Sequence, residues 1–152
     1  MSVYIGLKIH PRVALNISRS APAVIIIFRR TNMSLYSEIG GEGAVNAAVD
    51  IFYRKVLKDG RIKRFFDDVD MEKQAAKQKA FLTMAFGGPN SYTGLDMRKG
   101  HAHLVAKGLN DSHFDAVVED LAATLKELKV SDKLIAQVAA LSETTRKDVL
   151  GK

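Results

Sequence analysis

The sequence predicts an all-α fold for residues 34–152. Apolar residues recur there at intervals of three and four, which places them on one face of a helix. Serine, aspartate or asparagine stands directly before several of these stretches, where helix caps are expected. No stretch after residue 33 alternates as a half-buried strand would, and no internal repeat is present. One helical domain is therefore expected, because a chain of 152 residues is long enough for a single core.

The composition describes an ordinary globular protein, with 47% hydrophobic and 26% charged residues. There are no cysteines, which excludes disulfides, thiolate metal sites and cysteine nucleophiles. The net charge of +6 comes mostly from residues 1–33, which hold five of the 23 basic residues and none of the 17 acidic ones. The remaining chain is nearly neutral, with 18 basic against 17 acidic residues, so nucleic-acid binding is not expected.

Residues 1–33 form a leader that differs in composition from the domain at 34–152. Their apolar run at 21–28 is too short for a membrane span and is followed by Arg29-Arg30, not by a secretory cleavage signature. Two interpretations remain open. The leader is an organellar transit peptide, or translation begins at Met33, which we prefer and which places the protein in the cytoplasm. In either case we expect the leader to be poorly ordered and to carry no chemistry.

The first half of the domain is predicted to contain a long amphipathic helix, which lies between a glycine turn and an Asp-Gly turn. Its apolar positions are Val45, Ala48, Val49, Phe52 and Val56. In chain order we expect a short helix over 34–39 that stops at Gly40-Gly41, a helix over 43–58, a turn at Asp59-Gly60, a short basic helix ending at Phe65-Phe66, and a helix capped by Asp70 that runs to Phe86.

The second half begins with a turn-rich loop over residues 87–94, followed by a helix over 95–105. Asn110 or Asp111 is expected to cap an amphipathic helix, and Ser131 to cap the last one. The apolar positions of these two helices are Phe114, Val117, Val118, Leu121, Leu125 and Leu128, then Leu134, Ile135, Val138 and Leu141.

The helices over 70–86 and 95–105 are predicted to face each other across a polar centre. Gln74 and Gln78 lie within the apolar stripe of the first helix, with Lys77 at its edge, and His101 lies on the apolar face of the second. Buried polar groups are costly unless they are satisfied, and a cofactor held between the helices with His101 as a ligand would satisfy them. The alternative is a packed, hydrogen-bonded core histidine. His103 should point to solvent.

Tyr53 adds a third hydrogen-bonding group directed at the same space as Gln74 and Gln78. The nearby phenylalanines are consistent with a plain core or with packing against a flat cofactor. Other enzyme templates fail: no phosphate-binding loop follows a strand, nothing places a Ser-His-Asp triad, and the His-Glu-x-x-His zinc pattern is absent.

These residues resemble the group I truncated haemoglobins, above all the cyanobacterial and green-algal members. The resemblance covers about four fifths of the chain, from Met33 or Ser34 onward. It is carried by Leu35-Tyr36, Gly40-Gly41, Phe52-Tyr53, residues 61–66, 69–71, Lys73-Gln74, 78–82, 85–88, Met97-Arg98, His101, 108–110, 113–116 and 148–150.

The resemblance implies a shortened globin, with two helix pairs stacked two-over-two around a non-covalent haem b. His101 would be the proximal iron ligand, and Tyr53, Gln74 and Gln78 the distal hydrogen-bonding cluster. Lys73 would pair with a haem propionate. Haem contacts would come from Phe66, Phe81, Leu82, Phe86, Tyr92 and Met97.

Two departures from the cyanobacterial relatives are implied. Lys77 stands where several of them have an iron-binding distal histidine, and some algal relatives use lysine there, so Lys77 is a candidate sixth ligand. Its alternative role is to snorkel to solvent or to pair with a propionate. Some relatives attach haem covalently through a histidine in the last helix, but residues 142–147 contain none. Non-covalent haem is therefore expected.

The function implied is binding of O2 and NO at an iron that can become six-coordinate, with NO dioxygenation to nitrate as the expected chemistry. CO would be a further gaseous ligand, and an external reductase would donate electrons. The alternatives are non-enzymatic O2 binding, redox or gas sensing, and a haem-free helical interaction module. We expect a monomer that binds neither nucleic acid nor membrane.

Overall fold

The computed structural model describes residues 33–89 and 96–152, and its regular elements are all helical. Within these ranges there is no strand, as the hydrophobic spacing predicted. The helices are α1 (Leu35–Ile39), α2 (Gly41–Val56), a 3₁₀ helix (Lys63–Phe66), α3 (Met71–Ala85), α4 (Met97–Ala106), α5 (Asp111–Glu127), α6 (Asp132–Glu143) and α7 (Arg146–Val149).

Asp70 and Ser131 cap their helices as the sequence predicted, Asn110 is the one of the two predicted candidates that caps α5, and Ser34 caps α1. The side chains of Ser34, Asp70, Asn110 and Ser131 each accept a hydrogen bond from a backbone N–H in the first turn of α1, α3, α5 and α6. Gly40 ends α1 with a φ of 114°, a left-handed conformation that costs a glycine little. Helix α2 can therefore leave in a new direction directly after α1.

The packing joins two helix pairs. Helix α2 packs against α3, helix α5 packs against α6, and α2 lies on α5, which gives the predicted two-over-two arrangement. Helix α1 covers one part of α2, and the short helix α7 packs against α4. The centre of the core is built from α2 and α5, and its most buried side chains are Val45, Val49, Val56, Ile62, Thr124, Leu125 and Val138.

Two details differ from the sequence prediction. Helix α2 begins at Gly41 and ends at Val56, two residues earlier at each end than expected, and no side chain caps its start at Gly40. Helix α6 is not the last element, since α7 follows it after a short turn. Most of the 87–94 loop and residues 1–32 of the leader lie outside the described residues. In the part that is described, no helix is both long and apolar enough to span a bilayer.

Candidate functional site

His101 is oriented by its own helix. Its Nδ1 atom lies 2.8 Å from the carbonyl oxygen of Met97, one turn earlier in α4. A carbonyl can only accept, so Nδ1 carries the proton and Nε2 keeps the lone pair that binds a metal. Met97, His101 and Leu104 are half-buried on one face of α4, whereas His103 is exposed, as predicted. In the neutral ring, the hydrogen bond to Met97 therefore leaves Nε2 as the nitrogen that is available to a metal.

Tyr53 of α2 and Gln74 of α3 come together. Tyr53 is buried, and its hydroxyl is hydrogen-bonded to the side chain of Gln74. Burial raises the pKa of the Tyr53 hydroxyl, and the hydrogen bond from Gln74 offsets only part of this effect. The hydroxyl therefore stays protonated at neutral pH and can donate. Gln78 is half-buried one turn further along α3, on the same face as Gln74.

Aromatic and apolar side chains surround this pair. The rings of Tyr53 and Phe66 meet edge to face with 5.9 Å between centroids, and Phe52 packs on Tyr53 at 5.1 Å. Leu82 and Phe86 are buried, whereas Phe81 is half-buried and packs on the core. Tyr92, the remaining predicted contact, lies outside the described residues. The chain thus places tyrosine and glutamine hydrogen-bonding groups in an otherwise apolar environment.

Two lysines of α3, Lys73 and Lys77, are exposed near the face that carries the glutamines. Lys73 is exposed, and its ammonium lies 3.2 Å from the Asp70 carboxylate. Hydrogen bonds from the backbone and side chain of Lys73 hold the pKa of Asp70 below its usual value, and the charge of Lys77 contributes less. Lys77 is also exposed, at the edge of the face that carries Gln74 and Gln78. Both lysines are therefore able to reach an anionic group at the surface.

A cavity of about 540 Å³ opens between α2 and α3 beside Tyr53. Its wall is largely apolar, and Asp50 and Arg54 are its charged members. The remaining lining residues are Val49, Leu57, Met71 and Ala75.

The candidate ligand residues fit a metal that is already bound in a macrocycle better than they fit a bare ion. Among the described residues, no group of three or more His, Asp or Glu side chains is arranged to hold a bare ion. His101 nevertheless presents a free Nε2 lone pair. A porphyrin supplies four nitrogen ligands of its own, so one protein imidazole is sufficient to hold the iron of a haem. The aromatic and apolar side chains on α2 to α4 are suited to pack on its flat surface.

Comparison with known proteins agrees with this chemistry. The family model described as Bacterial-like globin matches residues 34–150. Fold and site together define a globin, a haem-binding protein that takes up gaseous ligands such as O2.

The relatives specify the branch of the globins. A Group 1 truncated hemoglobin from Synechocystis is 57% identical over 122 residues, covering 78% of this chain and 98% of that protein. Another from Tetrahymena thermophila is 50% identical over 125 residues, covering 81% and 99%. The crystal structure of a Synechococcus 2/2 hemoglobin, in the cyanomet state and with covalently attached heme, matches with a TM-score of 0.76 and 48% identity over 79% of this chain and 100% of that one. The chain belongs to the group 1 truncated haemoglobins.

The sequence predicted Met97 as a cofactor contact but missed the role of its backbone. The carbonyl of Met97 sets the tautomer of His101, and the four-residue spacing within a helix was the available signal. The sequence also did not reveal that Tyr53 and Gln74 are hydrogen-bonded to each other, since that pairing depends on how α2 crosses α3.

Proposed function

We propose that the chain binds haem b non-covalently, with the Nε2 atom of His101 as the proximal ligand. Tyr53, Gln74 and Gln78 form the distal side, and Lys73 pairs with a propionate at the rim. The orientation of His101 by the Met97 carbonyl carries this proposal, because it leaves one nitrogen ready to coordinate. The apolar contacts come from Phe66, Phe81, Leu82, Phe86, Tyr92 and Met97.

The distal residues stabilise a gas that carries partial negative charge. Bound haem supplies an iron whose sixth position takes O2, NO or CO. Tyr53 donates a hydrogen bond from its protonated hydroxyl, and a glutamine amide donates a second. Release of O2 is then slow, which suits chemistry on the gas better than transport.

The reaction we propose is NO dioxygenation, in which NO and O2 combine to nitrate. Each turnover consumes one electron, which an external reductase supplies. The chain acts as a monomer in the cytoplasm, with its chemistry confined to residues 34–152. The match of the globin family model to residues 34–150 supports this division of the chain.

Nitrate yield separates catalysis from simple binding. The purified protein is supplied with O2, NO and a reductase, and nitrate is measured per electron consumed. Continuous nitrate formation supports the dioxygenase, whereas a single turnover followed by a stable ferric form supports gas binding or sensing instead.

Replacing His101 tests the haem site itself. His101→Ala should abolish the axial histidine signature in resonance Raman spectra. Free imidazole added to this variant should restore an axial imidazole signature. The exposed His103, two residues further on, provides the control, because His103→Ala should leave the spectrum unchanged. A colourless parent protein, or a His101→Ala spectrum identical to that of the parent, would refute the assignment.

Lys77 is proposed as the sixth ligand of the ferric protein when no gas is bound. Its side chain is long, exposed and anchored at the edge of the distal face, so it can turn inward once its amine has lost a proton. Lys77→Ala should then change the ferric spectrum from low-spin to high-spin. Lys79→Ala is the control, since Lys79 faces Asp50 at 3.7 Å. A ferric spectrum unaffected by Lys77→Ala would leave Lys77 as a rim residue.

A further inference from the structure

The helix that carries His101, α4, packs against α7, a helix of four residues near the end of the domain. We propose that Arg98 and Asp148 are positioning residues that fix α4 on α7 and thereby set the direction from which His101 approaches iron. We call Arg98, Asp148, Arg146, Asp111 and Lys152 the α7 clasp. This inference rests on the proposed haem ligation by His101.

Arg98 connects α4 to the α7 segment at two points. Its Nη2 atom lies 3.4 Å from the Asp148 carboxylate and donates a short hydrogen bond to the carbonyl oxygen of Lys152. The backbone N–H of Arg98 also donates to the Asp96 side chain that caps α4. Arg98 therefore links the first turn of the His101 helix to residues about 50 positions away.

The α7 segment is itself held firmly by α5 and α6. Arg146 donates to Asp111, Asp115 and Glu143, and its guanidinium stacks 4.3 Å above the Phe114 ring. Its side chain is only 23% exposed, so these contacts are partly protected from water.

Two further anchors complete the attachment of the segment. Lys152 forms a second ion pair with Asp111, and Leu150 is buried in the core. A network of this kind is more effective than an isolated surface pair. Arg98 thus attaches α4 to a fixed support.

The position of Arg98 determines what the clasp controls. Arg98 precedes His101 by three residues, less than one helical turn, so both side chains lie near the same side of α4. The Nδ1–Met97 hydrogen bond fixes the imidazole to the helix backbone. Any tilt of α4 relative to α7 is therefore passed on to Nε2. The pair itself is exposed and adds little stability, so its main effect is on orientation.

The test compares Arg98→Ala, Asp148→Ala and the double variant with Lys99→Ala, which removes an equal charge from the next, exposed position of α4. The iron–histidine stretching band is recorded on the ferrous protein after photolysis of CO. Hydrogen exchange of the α4 amides is measured on the full chain. Arg98→Lys, which restores the charge, should recover part of any change.

We expect Arg98→Ala to shift and broaden the iron–histidine band. Asp148→Ala should do so by a smaller amount, because the hydrogen bond from Arg98 to the Lys152 carbonyl oxygen remains. The double variant should match Arg98→Ala. Exchange of the α4 amides should become about two- to fivefold faster, as expected for loss of an exposed ion pair. Lys99→Ala should behave like the parent protein.

Two outcomes would overturn the inference: a band and exchange pattern unaffected by Arg98→Ala, or equal changes in Lys99→Ala. Hydrogen exchange requires no haem, so it reports on the clasp even if the haem proposal fails. Loss of the haem proposal would appear separately, as a parent protein without an axial histidine band.

Discussion

At the scale of single residues, a hydrogen bond orients one side chain of the site and burial sets the protonation of another. The Met97 carbonyl keeps the proton of His101 on Nδ1, which leaves Nε2 as a ligand. Burial keeps the Tyr53 hydroxyl protonated, which leaves it as a donor. In the proposed haem site, His101 would therefore provide an electron pair to the iron, whereas Tyr53 would provide a hydrogen bond to the bound gas.

Removing the Tyr53 hydroxyl should selectively accelerate release of O2. Hydrogen bonds to charged groups contribute about 1.5–3 kcal/mol, so Tyr53→Phe is expected to raise the O2 dissociation rate by about 10- to 100-fold. Dissociation of CO, which carries little charge, should change far less. Stopped-flow measurements check both rates, with Tyr36→Phe in α1 as the control for the same chemical change. Equal acceleration of the two gases would indicate a steric effect instead of a lost hydrogen bond.

Asp120 in α5 is a polar group that the site does not use. Its Oδ2 atom is buried without a hydrogen-bond partner among the described residues. Burial raises the pKa of its carboxyl, and the negative charge of Asp59 raises it further, while Arg61 and Lys55 oppose this change. Because the folded protein holds this proton more tightly than the unfolded chain, stability is lost as the pH rises from about 4 through the raised pKa.

Asp120→Asn should therefore stabilise the protein at pH 7 and have little effect near pH 4. The expected gain in the free energy of unfolding is about 0.5 kcal/mol, which is small because the group is partly exposed and screened by water. Guanidinium unfolding at the two pH values checks this, with both proteins in the same haem state. Glu119→Gln should show no such gain, because Glu119 is paired with Arg61 at 2.8 Å. A gain that persists unchanged at pH 4 would exclude the ionisation of Asp120 as its cause.

At the scale of the elements, helix caps connect local sequence to the packed core. The side chain of Asn110 accepts from the N–H groups of Ser112 and His113, and the N–H of Asn110 donates to the His113 ring. This capping box was only half predicted, since the sequence left the choice between Asn110 and Asp111 open. The His113 ring also meets Phe65 edge to face at 5.0 Å, so the cap fixes α5 against the 3₁₀ helix.

Loss of the α5 cap should weaken the whole domain. Asn110→Ala removes the acceptor for two backbone N–H groups and is expected to lower the free energy of unfolding by about 1 kcal/mol. Asn110→Asp keeps an oxygen in the same place and should cost much less. Chemical unfolding followed by circular dichroism provides the measurement. If the alanine and aspartate variants proved equally destabilised, the contribution of the cap would have to be assigned elsewhere.

At the scale of the whole molecule, the imidazole of His101 and the hydrogen-bonding groups of Tyr53 and Gln74 lie on separate elements, α4, α2 and α3. The site is thus assembled from α2, α3 and α4 only when the chain folds. The other two histidines of the described residues lie in different surroundings: His103 is exposed on α4, and His113 belongs to the α5 cap. No histidine lies in residues 142–147.

Haem should therefore be fully extractable from the denatured protein. Acidified organic solvent should remove the pigment, and the mass of the remaining polypeptide should equal that of the chain alone. The Synechococcus relative, with its covalently attached heme, provides the opposite standard in the same assay. An added haem mass on the extracted polypeptide would show a covalent link that the histidine positions do not anticipate.

The sequence by itself determined most of the helices, several of their caps and the family. Hydrophobic spacing and cap residues act over a few positions, so they can be interpreted without the fold, and the globin family and its all-α architecture were both confirmed. The roles assigned to His101, Tyr53, Gln74, Gln78 and Lys77 remain predictions.

Only the tertiary structure decided which distant groups meet. The Tyr53–Gln74 hydrogen bond and the link from Arg98 to Asp148 each join residues far apart in the chain. The burial of the Asp120 Oδ2 atom without a partner is likewise a result of packing. The short helix α7 was missed because a four-residue helix has too little periodicity to be recognised, and its ion pairs to α5 and α6 form only in the folded chain. Local patterns determine elements, whereas the burial and partners of a side chain depend on the packing of all of them.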